Sequence, residues 1–367
     1  VIILNTPLNF GYKKIAKPYL FSKDPEWAHD KTLASAKTFG NILPARWLIK
    51  HTMSYSSNLL NQTVDSLNFQ NPLGLAAGWD KDGQAIKLMS SLGFGFTEVG
   101  SITKHAYQGN DYPRLTRLPK SKSILVNYGL KNQGVDIIYN RLKKAKINIP
   151  LGTNVARTNS KDCADDRKSI EDYCYSIEKL KTTGDYFTIN ISCPNTFGGQ
   201  PFHQPDRLNL LLTEIETIKT NKPKYLKISP DISNRNIEEI VNLAYKHNIA
   251  GFVCGNLTKK RNLNTIYETN LPQEGGLSGA VVSELSNNLI KTIYKMTGNE
   301  KTIIGLGGIF TAEDAWQKIG LGANLLQLVT GLIYEGPALV GLINKQLSKK
   351  LSENNYSNIE QARGFLI

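Results

Sequence analysis

Short apolar runs alternate with amphipathic segments through most of this chain, and that alternation constrains its fold more than any other feature. The apolar runs fall at residues 73–77, 96–102, 151–155, 186–191, 225–228, 251–254, 302–306 and 325–329. Between most of them lie segments with helical spacing, at 170–180, 208–218, 237–245, 282–296 and 312–319. A helix between two strands returns the chain so that the strands run parallel. Eight such units over roughly 275 residues match an α/β fold of the (β/α)8 TIM-barrel type. A doubly wound sheet is the competitor, but no GxGxxG follows the first run, which removes the main support for a dinucleotide fold.

The first 70 residues differ in texture. Asp24-Pro25-Glu26 reads as an N-cap followed by proline at the first helical position. That helix would carry Trp27, Ala28, Ala34 and Phe39, and a second, starting near Pro44, would carry Trp47, Leu48 and Tyr55. Each is too short to form a core alone. The expected division is therefore a helical region at 1–70 and a barrel at 71–367.

Composition narrows the class of protein. Hydrophobic residues are 40% and charged residues 20% of the 367, which excludes a disordered chain. Cys163, Cys174, Cys193 and Cys254 form no CxxC pair, so neither a zinc ribbon nor a disulfide framework is expected, and a reducing compartment is the simplest reading. His29, His51, His105, His203 and His247 show no metal-ligand spacing, so no metal site is expected. No run reaches the roughly 18 apolar residues of a membrane span. The net charge of +13 leaves open nucleic acid, an anionic membrane surface, acidic small molecules, or simply a solvated lysine-rich face.

In such a barrel, chemistry sits at the C-terminal ends of the strands. Polar residues and glycines gather there: Ala77-Gly78-Trp79-Asp80-Lys81, Ser101, Asn154, Asn190 to Asn195, Lys227, Asn256, Gly307-Gly308 and Thr330. Gly305-Leu-Gly-Gly308 and Val329-Thr330-Gly331 end the last two strands, where barrels often bind phosphate through backbone N–H groups; the plain alternative is two tight turns. Lys227 lies within an apolar strand and is either a stabiliser of negative charge at the barrel centre or a lysine snorkelling to solvent. Lys81 is either a carboxylate receptor or part of a charged turn. In Asn190-Ile-Ser-Cys-Pro-Asn195 two amides flank a thiol. Amides suit planar imide groups, and Cys193 can be nucleophile, base or acid. The other three cysteines read as inert core residues.

Five stretches occur in order: Asn71-Pro-Leu-Gly-Leu-Ala-Ala-Gly-Trp-Asp-Lys-Asp-Gly83, Gly109-Asn-Asp-Tyr-Pro-Arg-Leu115, Asn190-Ile-Ser-Cys-Pro-Asn-Thr196, Gly275-Gly-Leu-Ser-Gly279 and Ile303-Ile-Gly-Leu-Gly-Gly-Ile309. Together they resemble the dihydroorotate dehydrogenases, FMN enzymes that oxidise dihydroorotate to orotate in pyrimidine synthesis. The resemblance implies that Ala76, Ala77, Gly78, Lys81, Ser101, Asn154, Asn190, Lys227 and Gly255 line FMN, with Gly279, Gly308, Val329 and Thr330 around its phosphate. It implies that Lys81, Asn127, Tyr128, Gly129, Leu130, Asn190, Asn195, Asn256 and Leu257 hold the substrate, with Cys193 as catalytic base. Asp24-Pro-Glu-Trp-Ala-His29 resembles the N-terminal extension of the quinone-using class. That likeness implies a quinone path beside His29 and Arg117 and a chain resting on an anionic membrane surface. The location implied is the cytoplasmic face of a bacterial inner membrane, or the mitochondrial inner membrane in a eukaryote.

No nucleic-acid partner is expected, and the state is monomer or homodimer. Three positions depart from the quinone class: Cys193 stands where serine is usual, Val126 where an asparagine is usual with Asn127 one residue later, and Val329 where tyrosine is usual. Fumarate or NAD as acceptor is therefore an alternative. A tRNA dihydrouridine synthase is an alternative from another class, with Lys81 and the 275–279 motif favouring dihydroorotate.

Overall fold

The computed structural model of the protein describes residues 9–367, so the first eight residues of the expected 1–70 region lie outside the described residues. Thirteen strands occur among them. β1 (Gln62–Val64) and β2 (Leu67–Phe69) form an antiparallel hairpin. β3 (Leu73–Leu75), β4 (Phe96–Ile102), β7 (Leu151–Val155), β8 (Tyr186–Asn190), β9 (Lys224–Ile228), β10 (Gly251–Cys254), β12 (Thr302–Leu306) and β13 (Leu325–Leu328) close into a parallel barrel in chain order, β13 pairing back to β3. All eight predicted runs are barrel strands. The first runs only to Leu75; just beyond it the Ala76 N–H still donates to the Leu328 carbonyl at 3.3 Å, and Ala76 and Ala77 line a cavity.

The helices form for local reasons. Asp166–Leu180 starts at the Asp165 cap and buries Ser169, Asp172, Tyr173, Ser176, Ile177 and Leu180, one stripe at helical spacing. Ala312–Gly320 starts with a capping box between Thr311 and Asp314.

The barrel interior is layered. At the floor, Val64 and Phe69 of the hairpin pack on Phe96, Tyr186, Tyr225, Val253, Ile304 and Leu325. The Phe69–Phe96 and Tyr186–Tyr225 rings meet edge to face, with centroids 5.4 Å apart in each pair. Above this plug lies a buried polar layer of Glu98, Asn154, Thr188, Lys227 and Gln327. The mouth lies above that.

Two features went unanticipated. One is the hairpin. The other is a three-stranded antiparallel sheet of β5 (Leu115–Leu118), β6 (Ser123–Val126) and β11 (Gly276–Gly279), inserted from loops that follow β4 and β10. These strands have at most four residues, too few for an alternation to declare itself.

The N-terminal helices sit as a cap. A π-helical turn, Tyr12–Ala16, leads into Lys17–Phe21. Pro25–Asn41 follows, with Asp24 accepting from the Trp27 N–H at 2.8 Å. The next helix, Leu43–Met53, stops short of Tyr55.

Candidate active site

One cavity opens at the C-terminal mouth of the barrel, enclosing about 1260 Å³ of empty space with its opening included. Ala76, Ala77, Gly78 and Lys81 enter it after β3, Ser101 from β4, Asn190, Cys193 and Asn195 from the end of β8, and Lys227 from β9. Asn256 and Leu257 after β10, Gly279, Gly308, Val329 and Thr330 complete that side. Tyr128, Gly129 and Leu130 face it from the segment after β6, and His29 from the cap.

Two cations reach this cavity without a carboxylate of their own. Lys227 is buried, and among the described residues no group hydrogen-bonds its Nζ. Burial pushes its pKa down, with Glu98 and Cys193 opposing. Lys81 is half-buried, its Nζ 4.1 Å from the centroid of the Tyr128 ring. Burial, with Lys131 adding repulsion, pushes its pKa down to about 8. Lys81 is presented by a turn that Asp80 holds: the Asp80 carboxylate accepts from the N–H groups of Gln84 at 2.8 Å and Ala85 at 2.7 Å.

The thiol and the amides are positioned by the loop after β8. The buried Arg157 guanidinium donates to the carbonyls of Cys163, Phe197 and Gly199, and Gln200 Nε2 donates to the Ser192 carbonyl at 2.7 Å. Cys193 is half-buried there, and burial raises its pKa while Lys227, Arg157 and Lys259 pull it back. Asn195 Nδ2 donates to the Val126 carbonyl at 2.8 Å, but its buried Oδ1 has no partner among the described residues. An orphaned acceptor lining a cavity is a group awaiting a ligand donor.

The opposite side is made of backbone. Gly307 and Gly308 both have positive φ, which only glycine adopts without strain, and their N–H groups donate to no described residue. Ser278 Oγ and Thr330 Oγ1 lie 3.0 Å apart beside them. Free N–H groups and hydroxyls at the ends of β11, β12 and β13 make a cradle for an anion. Uncommitted cations, an orphaned amide oxygen and this cradle together fit a phosphorylated, amide-bearing cofactor.

Four expected site residues are placed elsewhere. Asn127 does not line the cavity: it accepts from Asn110 Nδ2 at 3.0 Å and donates to Glu274 at 3.3 Å. Side chains alternate along an extended segment, so with Ile124 and Val126 facing the cavity, Asn127 faces away. Arg117 follows Leu115 on the same face of β5, but its guanidinium donates to the carbonyls of Leu20, Phe21 and Lys23, closing the end of the helix Lys17–Phe21. Asn154 and Gly255 lie beneath the lining. Asn154 supports Ser101, and the Gly255 N–H is spent on the Ile228 carbonyl at 3.2 Å.

Sequence reasoning gave no role to Glu98 or Arg157, nor to Ser278 within the Gly275–Gly279 stretch. Glu98 sits in an ordinary-looking strand and Arg157 in a loop, and only the fold brings them to the site, whereas Ser278 lines the cavity itself. It also did not expect that Leu115, Ile124, Val126 and Ile333 make one wall of the cavity apolar.

A barrel whose mouth gathers cations, amides and a thiol around an anion cradle defines a cofactor-using enzyme acting on small anionic ring compounds. The chain belongs to the dihydroorotate dehydrogenase family, whose profile matches residues 59–351. It is 38% identical to the dihydroorotate dehydrogenase (quinone) of Gloeobacter violaceus, over 96% of this chain and 98% of that one. It is 39% identical to the protein of the same name from Nostoc punctiforme, over 97% and 98%. Among solved structures, the ligand-free DHODH of Eimeria tenella superposes with a TM-score of 0.81 at 27% identity, covering 93% of this chain and 99% of that chain. The enzymes of this family are flavoproteins.

Proposed function

We propose that the chain oxidises dihydroorotate to orotate with FMN and passes the electrons to a quinone. The observation that carries this reading is the convergence of Lys81, Lys227, Cys193 and three asparagines on one cavity beside an anion cradle. The Gly307–Gly308 cradle and Thr330 would hold the phosphate of FMN, and Ser101, Asn190 and Lys227 its ring. FMN when bound supplies the acceptor for the hydride from substrate C6. Lys81 holds the substrate carboxylate, and Asn190, Asn195 and Asn256 orient the ring amides. Cys193 takes the C5 proton at its Sγ. Lys227, the buried cation, stabilises negative charge at the cavity centre.

The apolar wall formed by Leu115, Ile124, Val126 and Ile333 runs toward the cap and would admit a quinone beside His29. His29 Nε2 lies 2.8 Å from the Trp79 carbonyl, and burial lowers the pKa of the ring, favouring the uncharged form that suits an apolar passage. Phe39, Ile42, Leu43, Trp47 and Leu48 are exposed on the cap. Among the described residues no helix is long and apolar enough to cross a membrane. The cap, residues 9–53, would rest in the interface of an anionic membrane, at the cytoplasmic face of a bacterial inner membrane or on the mitochondrial inner membrane.

The test is anaerobic. Dihydroorotate should bleach the flavin absorbance of the purified protein, and a short-chain quinone should restore it faster than fumarate or NAD. An unbleached flavin would refute the substrate, and a preference for fumarate would refute the quinone.

A further inference from the structure

A chain of hydrogen bonds runs from the cavity lining down into the barrel, and every link points the same way. Asn256 Nδ2 donates to Ser192 Oγ at 2.7 Å, and the Ser192 hydroxyl and N–H donate to Asn190 Oδ1 at 2.9 and 3.1 Å. Asn190 Nδ2 donates to Ser101 Oγ at 2.8 Å, the Ser101 hydroxyl to Asn154 Oδ1 at 2.5 Å, and Asn154 Nδ2 to Glu98 Oε1 at 2.8 Å. An amide or a hydroxyl can face either way on its own. The two ends remove that freedom. The Ser192 backbone N–H only donates. The buried Glu98 carboxylate receives donors on every side, with Thr188 Oγ1 at 2.9 Å, Gln327 Nε2 at 2.8 Å and the Tyr186 hydroxyl at 3.3 Å completing the set.

The sense of the chain decides what the cavity offers a ligand. The Asn190 oxygen is filled by two donors from Ser192, so Asn190 can present only an N–H. Asn195, outside the chain, presents its unpartnered Oδ1. A ring with an acceptor opposite Asn190 and an N–H opposite Asn195 is thereby selected. We infer that Glu98 is a positioning residue: as the fixed acceptor, it turns the Asn154 oxygen toward the Ser101 hydroxyl, which leaves Ser101 Oγ free to receive and hold the Asn190 amide that faces flavin and substrate. This rests on the FMN and dihydroorotate reading of the site.

Glu98→Gln allows the last link to reverse. The dissociation constants of FMN, measured by reconstituting the apoprotein, and of orotate, read from the flavin spectrum, should each rise about tenfold, the effect of one misdirected buried hydrogen bond. Thr188→Val removes a Glu98 contact outside the chain and should leave both constants unchanged. Combining Glu98→Gln with Asn154→Asp moves the fixed acceptor one link along and should recover both. The inference is overturned if Glu98→Gln binds both ligands as the parent does, if Thr188→Val matches it, or if the double variant is no better than the single. Should Glu98→Gln not fold, the double variant decides: recovered binding supports the inference, and failure to fold or bind overturns it. The FMN constant needs no substrate. A parent protein that ignores dihydroorotate would therefore refute the substrate reading while this arm still decides the role of Glu98.

Discussion

All seven residues of β4 are buried, whereas the 17-residue cap helix Pro25–Asn41 buries four and the next helix, Leu43–Met53, buries none. The barrel is held by apolar area, at roughly 1.5–3 kcal/mol for each large side chain removed from water. The cap adds only a few apolar contacts, from Phe21, Leu33, Ala36, Ile49 and Met53, and is held in addition by separate polar clips. Glu26 receives the buried Arg114 fork at 2.6 and 3.0 Å and Lys131 at 3.0 Å. The Tyr12 hydroxyl donates to the Ile333 carbonyl at 2.6 Å, Lys13 pairs with Glu335, and Arg117 closes the helix Lys17–Phe21. Leu43, Trp47 and Leu48 stay outside, where the proposed contact with lipid would use them. The difference teaches that the barrel's site and the proposed path for the acceptor are built on separable foundations.

The sharpest separation is expected at Cys193. Cys193→Ala should slow flavin reduction by dihydroorotate about 10²–10⁴-fold, the usual worth of a positioned general base, measured by anaerobic stopped-flow absorbance. Orotate affinity and vesicle binding should not change. Near-normal reduction would place the base elsewhere.

Glu26 tests the cap. Removing one partner of a buried ion pair costs about 3–5 kcal/mol, because the other charge is left uncompensated. Glu26→Gln should therefore loosen the cap by up to that amount. Limited proteolysis between residues 54 and 61 should accelerate, while FMN stays bound and the barrel's urea midpoint holds. A barrel that unfolds together with the cap would show that the two regions form one cooperative unit.

How much of this was legible in the sequence follows the same division. The eight strands were visible because each is a short apolar run bounded by helical spacing, and barrel closure adds no residue to that pattern. Most of the cavity lining was visible because it sits at strand ends, where polar residues interrupt apolar runs. Asn127 was misplaced because alternation within a four-residue strand decides which neighbour faces inward, and nothing in the string Val126-Asn127 sets that phase. The partners of Arg117 were not legible because they are backbone carbonyls of a segment almost a hundred residues earlier, and carbonyls leave no mark on a sequence. Glu98 was overlooked because Phe-Thr-Glu-Val-Gly reads as an ordinary strand until Asn154, Thr188 and Gln327 are folded around it.

Lys81 joins substrate binding to pH. Its pKa of about 8 lies below the ordinary lysine value, so its ammonium is lost within a range accessible to experiment. Orotate affinity should fall as pH rises through 8, by up to about tenfold per unit, since the carboxylate loses its cation. Over the range from pH 8 to the ordinary lysine pKa, the ligand-free protein should gain stability, because the unfolded chain keeps a proton that the folded one has released. Opposite signs in the two measurements are the signature, and Lys81→Met should abolish the stability trend. A flat affinity profile between pH 7 and 9 would remove Lys81 from the carboxylate.

The smallest effect is expected where the long helix of the cap begins. Asp24 accepts from the Trp27 N–H at 2.8 Å, and Pro25 follows at the first helical position. Asp24→Ala removes that acceptor and a negative charge at the positive end of the helix dipole, at a cost of about 1 kcal/mol. The helix carries Glu26 and His29 in its first turns, so fraying should reach the clip to Arg114 and the wall of the proposed quinone path before anything in the barrel. Quinone KM should rise modestly while the rate of flavin reduction by dihydroorotate is unchanged. If Asp24→Ala slowed flavin reduction instead, the cap would be acting on the barrel's chemistry, and the two foundations would be one.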